Sequence, residues 1–584
     1  MSQDPFAGEP ARSERRRSLR TMARAAARLL PAPRDEALAW IGRDLIALVT
    51  GRAVKRPARR VDAPDPAVLD RIRADLDRDR PTDALARIEA ALVVRPANVR
   101  LLTLRRFVLA RLGELNASLD ALADLRTVAD EPGLARLERE TVGRLVETDP
   151  RWLPRVPGPP RLVDPRPGVV LHLLKESVPH RQTGFTTRSR YIVLAQRDAG
   201  LTPLVVTQPG FPRSAGITGA AAVEEVDGIR YHRLDPGGAY PAERPFDLAL
   251  RDYSWLAARV ARQERPAVIH AASGPRGCDA ALVGLALRAH LGIPVVYEMR
   301  SFFEGTWSSN VEASEHAEYA RRRWAAETRA MLAVDAVVTL SETMRREVIE
   351  RGVAEDRAVV VANGVDIELF APRPRDAALT ARLGLSGRAV FGYLGNLDHA
   401  REGQELLVEA TARLRSRGRP VACLIVGDGE RRTELEALAA RRGVANAVVF
   451  TGQVPHDEVP AFYTQFDVFV VPRRDDRAAR FVTPLKPFEA MASGVPLVVS
   501  DLPALVEVAA PDERGLRFPT DDVDGLVAVL ERLFDDPALA ARLGAAGRAW
   551  VTAERTWASN GRRYRALYAR LGVRLPDTEA RDAG

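Results

Sequence analysis

Cysteine, lysine and long apolar runs are the scarcest features of this 584-residue sequence. Its two cysteines, Cys278 and Cys423, fall in different predicted domains, which argues against a disulfide framework and predicts a reducing compartment. The longest apolar candidate, residues 37–49, is interrupted by Arg43 and Asp44 and is too short to span a bilayer. No signal peptide is recognisable. These features predict a cytoplasmic protein.

Lysine supplies only three of the 86 basic side chains, Lys55, Lys175 and Lys486. Such a bias is typical of GC-rich coding sequence, where arginine takes nearly every cationic position. A lysine inside a functional motif is therefore of interest, although chance is the alternative interpretation. Lys486 is the lysine that stands in such a motif.

The net charge of +8 is confined to the amino-terminal segment, since residues 1–60 hold 14 basic and 6 acidic side chains. We predict that residues 1–62 form a basic, disordered tail. The alternative is an arm that contacts anionic lipid at the inner face of the membrane, at about 1 kcal/mol per cation. Apolar positions at helical spacing between Leu38 and Val49 favour that alternative. Few aromatic residues argue against nucleic-acid binding.

Residues 63–160 carry leucine, isoleucine and alanine at helical spacing and are predicted to form an all-α domain. The pattern recurs at an offset of 34 residues, which aligns Ala84 with Ser118 and Ile88 with Leu122. This spacing resembles the tetratricopeptide repeat and suggests a site for a protein partner. Because only about two units are visible, a plain helical bundle is the alternative.

Two longer regions, residues 168–366 and 367–555, alternate short β-rich runs with helical patterns. This alternation predicts two doubly wound α/β domains, in which ligands bind beyond the carboxyl ends of the strands. A proline-rich linker at 154–167 precedes the first domain, and residues 556–584 are predicted to form a final helix and a tail. The chain length agrees with about three or four domains.

The most specific motif is the segment from Arg480 to Asp501, RFVTPLKPFEAMASGVPLVVSD. It predicts a turn, a short helix from Pro484 to about residue 492, and then a buried parallel strand. Lys486 and Glu489 are three residues apart and share one face of that helix. The unpaired N–H groups of a helix start favour an anion such as a diphosphate. A carboxylate beside them can accept hydrogen bonds from a ribose diol.

The string PLKPFEAMASGVPLVVSD resembles the nucleotide-sugar signature of the retaining family 4 glycosyltransferases, and is nearest to the subgroup with a TPLKPxEAMA motif. NGVD at 363–366 and GDG at 427–429 extend the resemblance to about residues 168–570. It implies the GT-B fold, in which two Rossmann-like domains face a cleft and the final helix crosses back onto the first of them. It also implies transfer of a sugar from a nucleoside-diphosphate sugar to a hydroxyl, with retention of configuration. The acceptor would be a glycan or a lipid-linked or cell-surface polysaccharide precursor.

The resemblance also implies which residues form the site. Glu489 would hold the ribose, while Lys486 and Arg300, which stands where many members have a histidine, would stabilise the departing diphosphate. The alternative for Arg300 is a structural pair with Glu298, and His270 is either a cleft residue or a hydrogen-bonded core residue. Other donor-binding candidates lie beyond strand ends in both domains: Gly184, Arg188, Gly395, Asn396, Gly427, Gly429, Arg473, Thr483 and Leu485.

The chain departs from the family's pattern at positions that hold the donor. Phe481 stands where the family has a glutamate that contacts the donor sugar. Asn396 and Glu402 lie where the family commonly has a basic pair that grips the diphosphate. Arg473 or Lys486 would then supply the missing cation.

Other functions fit the same fold. The cleft could belong to a catalytically degenerate sugar-nucleotide-binding protein that acts through its helical domain, or to a sugar-nucleotide epimerase. A phosphorylase would need a pyridoxal-binding lysine, and Lys486 matches that role poorly. We expect no cofactor and no metal, because no Asp-x-Asp follows a strand and no His/Cys cluster has ligand spacing.

Overall fold

A computed structural model describes residues 64–130, 132–235, 244–274, 276–303, 307, 315–455 and 457–576. The predicted basic tail at residues 1–62 lies outside these residues. No helix within the described ranges is long and apolar enough to cross a membrane. Both cysteines are buried as free thiols.

The amino-terminal domain is all helical, as the sequence predicts. Its helices are α1 (Pro66–Asp77), α2 (Pro81–Val94), α3 (Val99–Arg111), α4 (Leu115–Val128) and α5 (Pro132–Glu147). Each helix packs against the next one in the chain. Helices α2 and α4 begin 34 residues apart and bury equivalent positions, Ala84 with Ser118 and Ile88 with Leu122. The helical hairpins therefore follow the predicted offset, and the assignment to the tetratricopeptide family stays a prediction.

The first α/β domain contains an eight-stranded sheet in the order β3-β4-β2-β1-β5-β6-β7-β8. Among the described strands of this sheet, only β3 runs antiparallel to its neighbour. The fully buried apolar run of β1 is typical of a strand covered on both faces. The strands are β1 (Val169–Leu174), β2 (Thr202–Thr207), β3 (Val223–Val226), β4 (Ile229–Arg233), β5 (Val268–Ala272), β6 (Val295–Glu298), β7 (Ala336–Thr339) and β8 (Ala358–Val360). The helices are α6 (Gly184–Asp198), α7 (Phe246–Glu264), α8 (Asp279–Leu291), α9 (Glu318–Ala333) and α10 (Glu342–Glu350).

The second α/β domain has a six-stranded, wholly parallel sheet in the order β11-β10-β9-β12-β13-β14. Its strands are β9 (Ala389–Leu394), β10 (Val421–Val426), β11 (Val448–Phe450), β12 (Val468–Val471), β13 (Leu497–Ser500) and β14 (Leu516–Phe518). Its helices are α11 (Ala377–Arg382), α12 (Gln404–Ser416), α13 (Arg432–Arg441), α14 (Val459–Tyr463), α15 (Arg477–Phe481), α16 (Lys486–Ala492), α17 (Pro503–Ala509), α18 (Val523–Asp535) and α19 (Pro537–Glu554). Both doubly wound domains were predicted from the sequence.

The last helix, α20 (Trp557–Arg570), returns to the first α/β domain and packs against α6. Trp557 stacks on Tyr191 with ring centroids 5.0 Å apart. Tyr564 and Tyr568, one turn apart, are completely buried. This crossing agrees with what the family resemblance implies for the final helix.

The helical domain docks on the same α/β domain. Helix α5 packs against α7. In addition, Tyr319 N donates to Gly113 O at 2.9 Å, and Asn116 N donates to Glu318 Oε2 at 2.9 Å. The turn between α3 and α4 is therefore held at the start of α9.

Candidate functional site

The two α/β domains meet through segments that follow strand ends. The segments after β7 and β8 of the first domain contact the turn between α15 and α16 of the second. In doubly wound sheets ligands bind beyond the carboxyl ends of the strands. The cleft between the domains is therefore the candidate site.

The turn before α16 is held on three sides. Ser341 Oγ donates to Phe481 O at 3.1 Å. Arg473 Nη1 donates to Val482 O at 3.0 Å, and Asn363 Nδ2 donates to Thr483 O at 2.8 Å. One of these donors lies after β7, one after β12 and one in the segment between the domains. The turn is thus positioned by both domains at once.

Helix α16 begins at Lys486, two residues later than predicted, with Leu485 as its N-cap. Lys486 is half-buried, and among the described residues no carboxylate lies within ion-pair distance of its ammonium. Glu489 Oε2 accepts from Tyr463 Oη at 2.7 Å. The buried Tyr463 hydroxyl orients this carboxylate, which is itself half-buried. The structure thus keeps the lysine and the glutamate together, as the sequence predicts.

Thr483 is 3% exposed, and its Oγ1 has no hydrogen-bond partner among the described residues. A buried hydroxyl without a partner is costly unless a ligand completes it. The buried Oε1 of Gln404, at the start of α12, also has no hydrogen-bond partner among the described residues. The Nε2 of this side chain donates to Asn396 O at 3.2 Å. Two unsatisfied groups therefore border the predicted donor site, and one of them, Gln404, was not predicted.

Arg473 forms a buried, two-point ion pair with Glu402, with Nε–Oε2 at 3.1 Å and Nη2–Oε1 at 2.9 Å. Tyr393 Oη donates to the same carboxylate at 2.8 Å. Burial alone would raise the pKa of Glu402, but Arg473 and then Lys486 lower it to about 2. Glu402, which departs from the family's pattern, therefore anchors the arginine that holds the turn before α16.

The loops after β9 and β10 are tightly joined. A Cβ at Gly427, where φ is +136°, would lie 1.9 Å from Gly395 O, and Leu397 N donates to Asp428 O at 3.0 Å. Asn396 is exposed and turns its Nδ2 toward Asp398 Oδ2 at 2.6 Å.

Gly429 belongs to the same contact, since a Cβ there would lie 2.4 Å from Asp398 Oδ1. Glycine is therefore required where these two loops approach each other.

Glu298, at the end of β6, is the centre of a buried charged cluster. Its Oε1 accepts from Arg188 Nε at 3.0 Å and from Arg300 Nε at 2.6 Å. Its Oε2 contacts His270 Nε2 at 3.1 Å and accepts from Tyr564 Oη. Burial would raise the pKa of Glu298, but the two arginines hold it well below its usual range. This carboxylate is therefore ionised in the folded protein.

His270 is completely buried, with Nδ1 2.7 Å from Tyr568 Oη and its ring stacked on His172 at 4.6 Å. Burial lowers the pKa of both histidines. This is the environment of a hydrogen-bonded core residue, one of the two interpretations that the sequence left open.

Arg188 and Arg300 differ in what they leave for a ligand. Arg188, only 2% exposed, donates to Val361 O at 2.7 Å and to Ala362 O and Asn363 Oδ1 at 3.0 Å. It therefore secures the segment between the domains.

Arg300 Nη1 donates to Phe185 O at 3.0 Å and to Ser189 Oγ at 2.7 Å, while its Nη2 has no acceptor among the described residues. The structural pair with Glu298 is present, and one guanidinium nitrogen is still available to a ligand. Gly184, in the first turn of α6, faces open space, since a Cβ there would meet nothing within 4 Å.

Two family models match the α/β domains. Residues 183–364 match "Glycosyl transferase 4-like domain", and residues 388–536 match "Glycosyl transferases group 1". Each α/β domain thus matches a glycosyltransferase family model. Together the matches span the cleft, from the start of α6 to beyond the helix that carries Lys486 and Glu489.

Among curated proteins, the chain is similar to the GDP-mannose-dependent alpha-(1-6)-phosphatidylinositol monomannoside mannosyltransferase of Mycolicibacterium smegmatis. Identity is 36% over 207 residues, or 35% of this chain and 54% of that protein. It is also 28% identical to a GDP-mannose-dependent alpha-mannosyltransferase of Mycobacterium tuberculosis, over 66% of this chain and 93% of that one. The chain spans about half the length of the first curated relatives it matches, at 54%, 56% and 51%.

Among solved structures, the fold is similar to sucrose-phosphate synthase from Thermosynechococcus elongatus, with a TM-score of 0.57 and 24% identity. It is also similar to Anabaena HepE in complex with UDP, with a TM-score of 0.55 and 17% identity. Each comparison covers 69% of this chain and 99% of the other. These likenesses establish the fold as GT-B.

Proposed function

We propose that the protein is a retaining glycosyltransferase of family 4. It would transfer a hexose from a nucleoside-diphosphate sugar to a hydroxyl group. The observation that carries this proposal is the arrangement of the seven residues from Thr483 to Glu489, at the start of α16. Among the described residues, the Lys486 ammonium has no ion-pair partner and the buried Thr483 hydroxyl has no hydrogen-bond partner, while Tyr463 orients the Glu489 carboxylate.

In this proposal each group has one task. Glu489, oriented by Tyr463, accepts hydrogen bonds from the ribose diol. Lys486 and the hydroxyl of Thr483 contact the diphosphate, next to the loops that contain Gly395 and Gly427. The positive charge matters most as the sugar leaves, because negative charge then grows on the diphosphate.

The first α/β domain would present the acceptor and complete the charge balance. Arg300 Nη2, which has no acceptor among the described residues, stabilises the departing diphosphate or orients a sugar hydroxyl. In the retaining chemistry that the resemblance implies, the leaving diphosphate takes the acceptor proton as the new glycosidic bond forms. The protein contributes orientation and electrostatic stabilisation, and we assign it no nucleophile and no metal.

A lipid-linked or glycan acceptor is the class that the relatives support, since one of them is named for phosphatidylinositol monomannoside. We therefore propose a cytoplasmic enzyme that works at the inner face of the membrane. Residues 1–62 would contact anionic lipid, and the helical domain would bind a protein partner.

A second candidate is a binding protein without transfer activity. It is favoured by Phe481, which packs edge-on against Phe302 with ring centroids 4.9 Å apart. This residue therefore makes an apolar contact between the two domains. The family's glutamate at this position would have contacted the donor sugar.

The test is a thermal-shift screen of nucleotide sugars, including GDP-mannose and UDP-glucose, followed by a transfer assay with the nucleotide that stabilises the protein. Stabilisation together with turnover is expected. Stabilisation without hydrolysis or transfer would favour the binding protein, and no stabilisation by any nucleotide would contradict the proposal.

A further inference from the structure

Asn363 connects the two α/β domains through both ends of its side-chain amide. It is 3% exposed; its Oδ1 accepts from Arg188 Nη1 at 3.0 Å, and its Nδ2 donates to Thr483 O at 2.8 Å. A guanidinium only donates and a carbonyl only accepts, so one orientation of the amide satisfies both neighbours. The contact with the second domain therefore depends on the amide nitrogen.

The support behind Asn363 is anchored in the core of the first domain. Arg188 pairs with the fully buried Glu298 at 3.0 Å and also donates to Val361 O at 2.7 Å. A chain of direct contacts thus runs from Glu298 through Arg188 and Asn363 to Thr483. It crosses from the first domain into the turn before α16.

This series of contacts ends at Thr483, where the predicted donor site begins. The buried hydroxyl of Thr483 has no partner in the part of the chain that the structure describes, and Lys486 begins α16 three residues later. A shift of the carbonyl at Thr483 would therefore move the groups that contact the diphosphate.

We propose that Asn363 is a positioning residue that holds the turn before α16 in the arrangement that binds the nucleoside diphosphate. This rests on the proposed function. Because Asn363 belongs to the segment between the domains, the affinity for nucleotide depends on the domain arrangement. By linkage, bound nucleotide favours the same arrangement.

The test variant is Asn363→Asp, which keeps the shape of the side chain. One carboxylate oxygen still accepts from Arg188, whereas the other faces Thr483 O and has no hydrogen to donate. The matched control is Asn560→Asp. Asn560 is 1% exposed and its Nδ2 donates to Ala362 O at 2.9 Å, so it holds the same segment without touching the turn.

Two measurements on the full-length protein separate the variants. Amide hydrogen exchange in the ligand-free protein reports on the turn through Val482 N, bonded to Ala478 O, and Phe488 N, bonded to Leu485 O. We expect exchange about tenfold faster in Asn363→Asp and unchanged in Asn560→Asp. Titration with GDP and UDP should show affinity about tenfold weaker in Asn363→Asp and unchanged in Asn560→Asp.

Wild-type exchange in a folded Asn363→Asp protein would overturn the inference, and so would equal loosening in both variants. If wild-type protein binds neither nucleotide while the exchange rates differ as expected, the proposed function fails together with the donor part of this inference. The exchange comparison would still establish that Asn363 positions the turn.

Discussion

The edges of the two α/β domains that face the cleft use their charges in opposite ways. In the first domain, Glu298 is fully buried and engages Arg188, Arg300 and Tyr564. In the second, Lys486 and Glu489 are half-buried, and the lysine has no ion-pair partner among the described residues. The Glu298 cluster of the first edge therefore mainly maintains structure, whereas the Lys486 ammonium of the second edge can contact a ligand.

The largest expected effect comes from Glu298→Gln, which leaves two buried guanidinium groups without their counter-charge. We expect the free energy of unfolding to fall by about 3–5 kcal/mol. Urea denaturation measures this loss. The control is Glu355→Gln, whose side chain is 78% exposed in its pair with Arg345 and whose stability should match wild type. A Glu298→Gln protein as stable as the control would contradict the structural role of this edge.

The pH dependence of stability sharpens the comparison at Glu402, the buried carboxylate of the second domain. Its pKa is about 2 in the folded protein, against 4.5 for an ordinary glutamate, so it stabilises the protein fully above about pH 5. This contribution, on the order of 3 kcal/mol, is lost as the pH falls from about 5 to 2. Unfolding free energies across this range should fall less steeply in Glu402→Gln. If the unfolding free energies of variant and wild type fall in parallel with pH, the lowered pKa of Glu402 is excluded.

Lys486→Met should change activity and leave the fold intact. We expect turnover to fall on the order of a hundredfold, since the growing charge of the diphosphate loses its cation. Lys486→Arg should recover only part of this, because the planar guanidinium needs more room than an ammonium. Steady-state kinetics measures the turnover of both variants, and circular dichroism checks that they are folded. If both variants turn over like wild type, Lys486 only packs its stem at the surface.

Glu489→Ala should weaken nucleoside diphosphate binding by about 1.5–3 kcal/mol, because the ribose diol loses a charged acceptor. Tyr463→Phe keeps the carboxylate but removes the hydroxyl that orients it, and should cost about 0.5–1.5 kcal/mol. Isothermal titration of both variants tests this order. Equal affinity of a folded Glu489→Ala protein and wild type would rule out the ribose assignment.

Much of this architecture could be predicted because it is local in sequence. The buried apolar runs of β1 and β10 and the turns between them identify doubly wound domains. The motif helix was predicted within two residues, since Pro484 and Pro487 mark its start. The pairing of Lys486 with Glu489 on one helix face follows from helical geometry alone.

The parts that could not be predicted depend on contacts between distant residues. Glu298 meets Tyr564 across 266 positions, and Asn363 meets Thr483 across 120. No spacing rule relates such pairs, because only the packed domains bring them together. Arg188 is an example. Its position near the start of a helix that follows a strand predicts contact with a ligand, whereas in the structure its buried hydrogen bonds hold the segment between the domains.

The most direct test of the account is a crystal structure of the full-length protein with bound nucleoside diphosphate. We expect the phosphates beside Lys486 and Thr483 Oγ1, and the ribose hydroxyls within hydrogen-bond distance of Glu489. The Glu298 cluster should be unchanged in that structure. Nucleotide bound at the Glu298 edge instead, away from α16, would contradict the central claim that the second domain holds the donor.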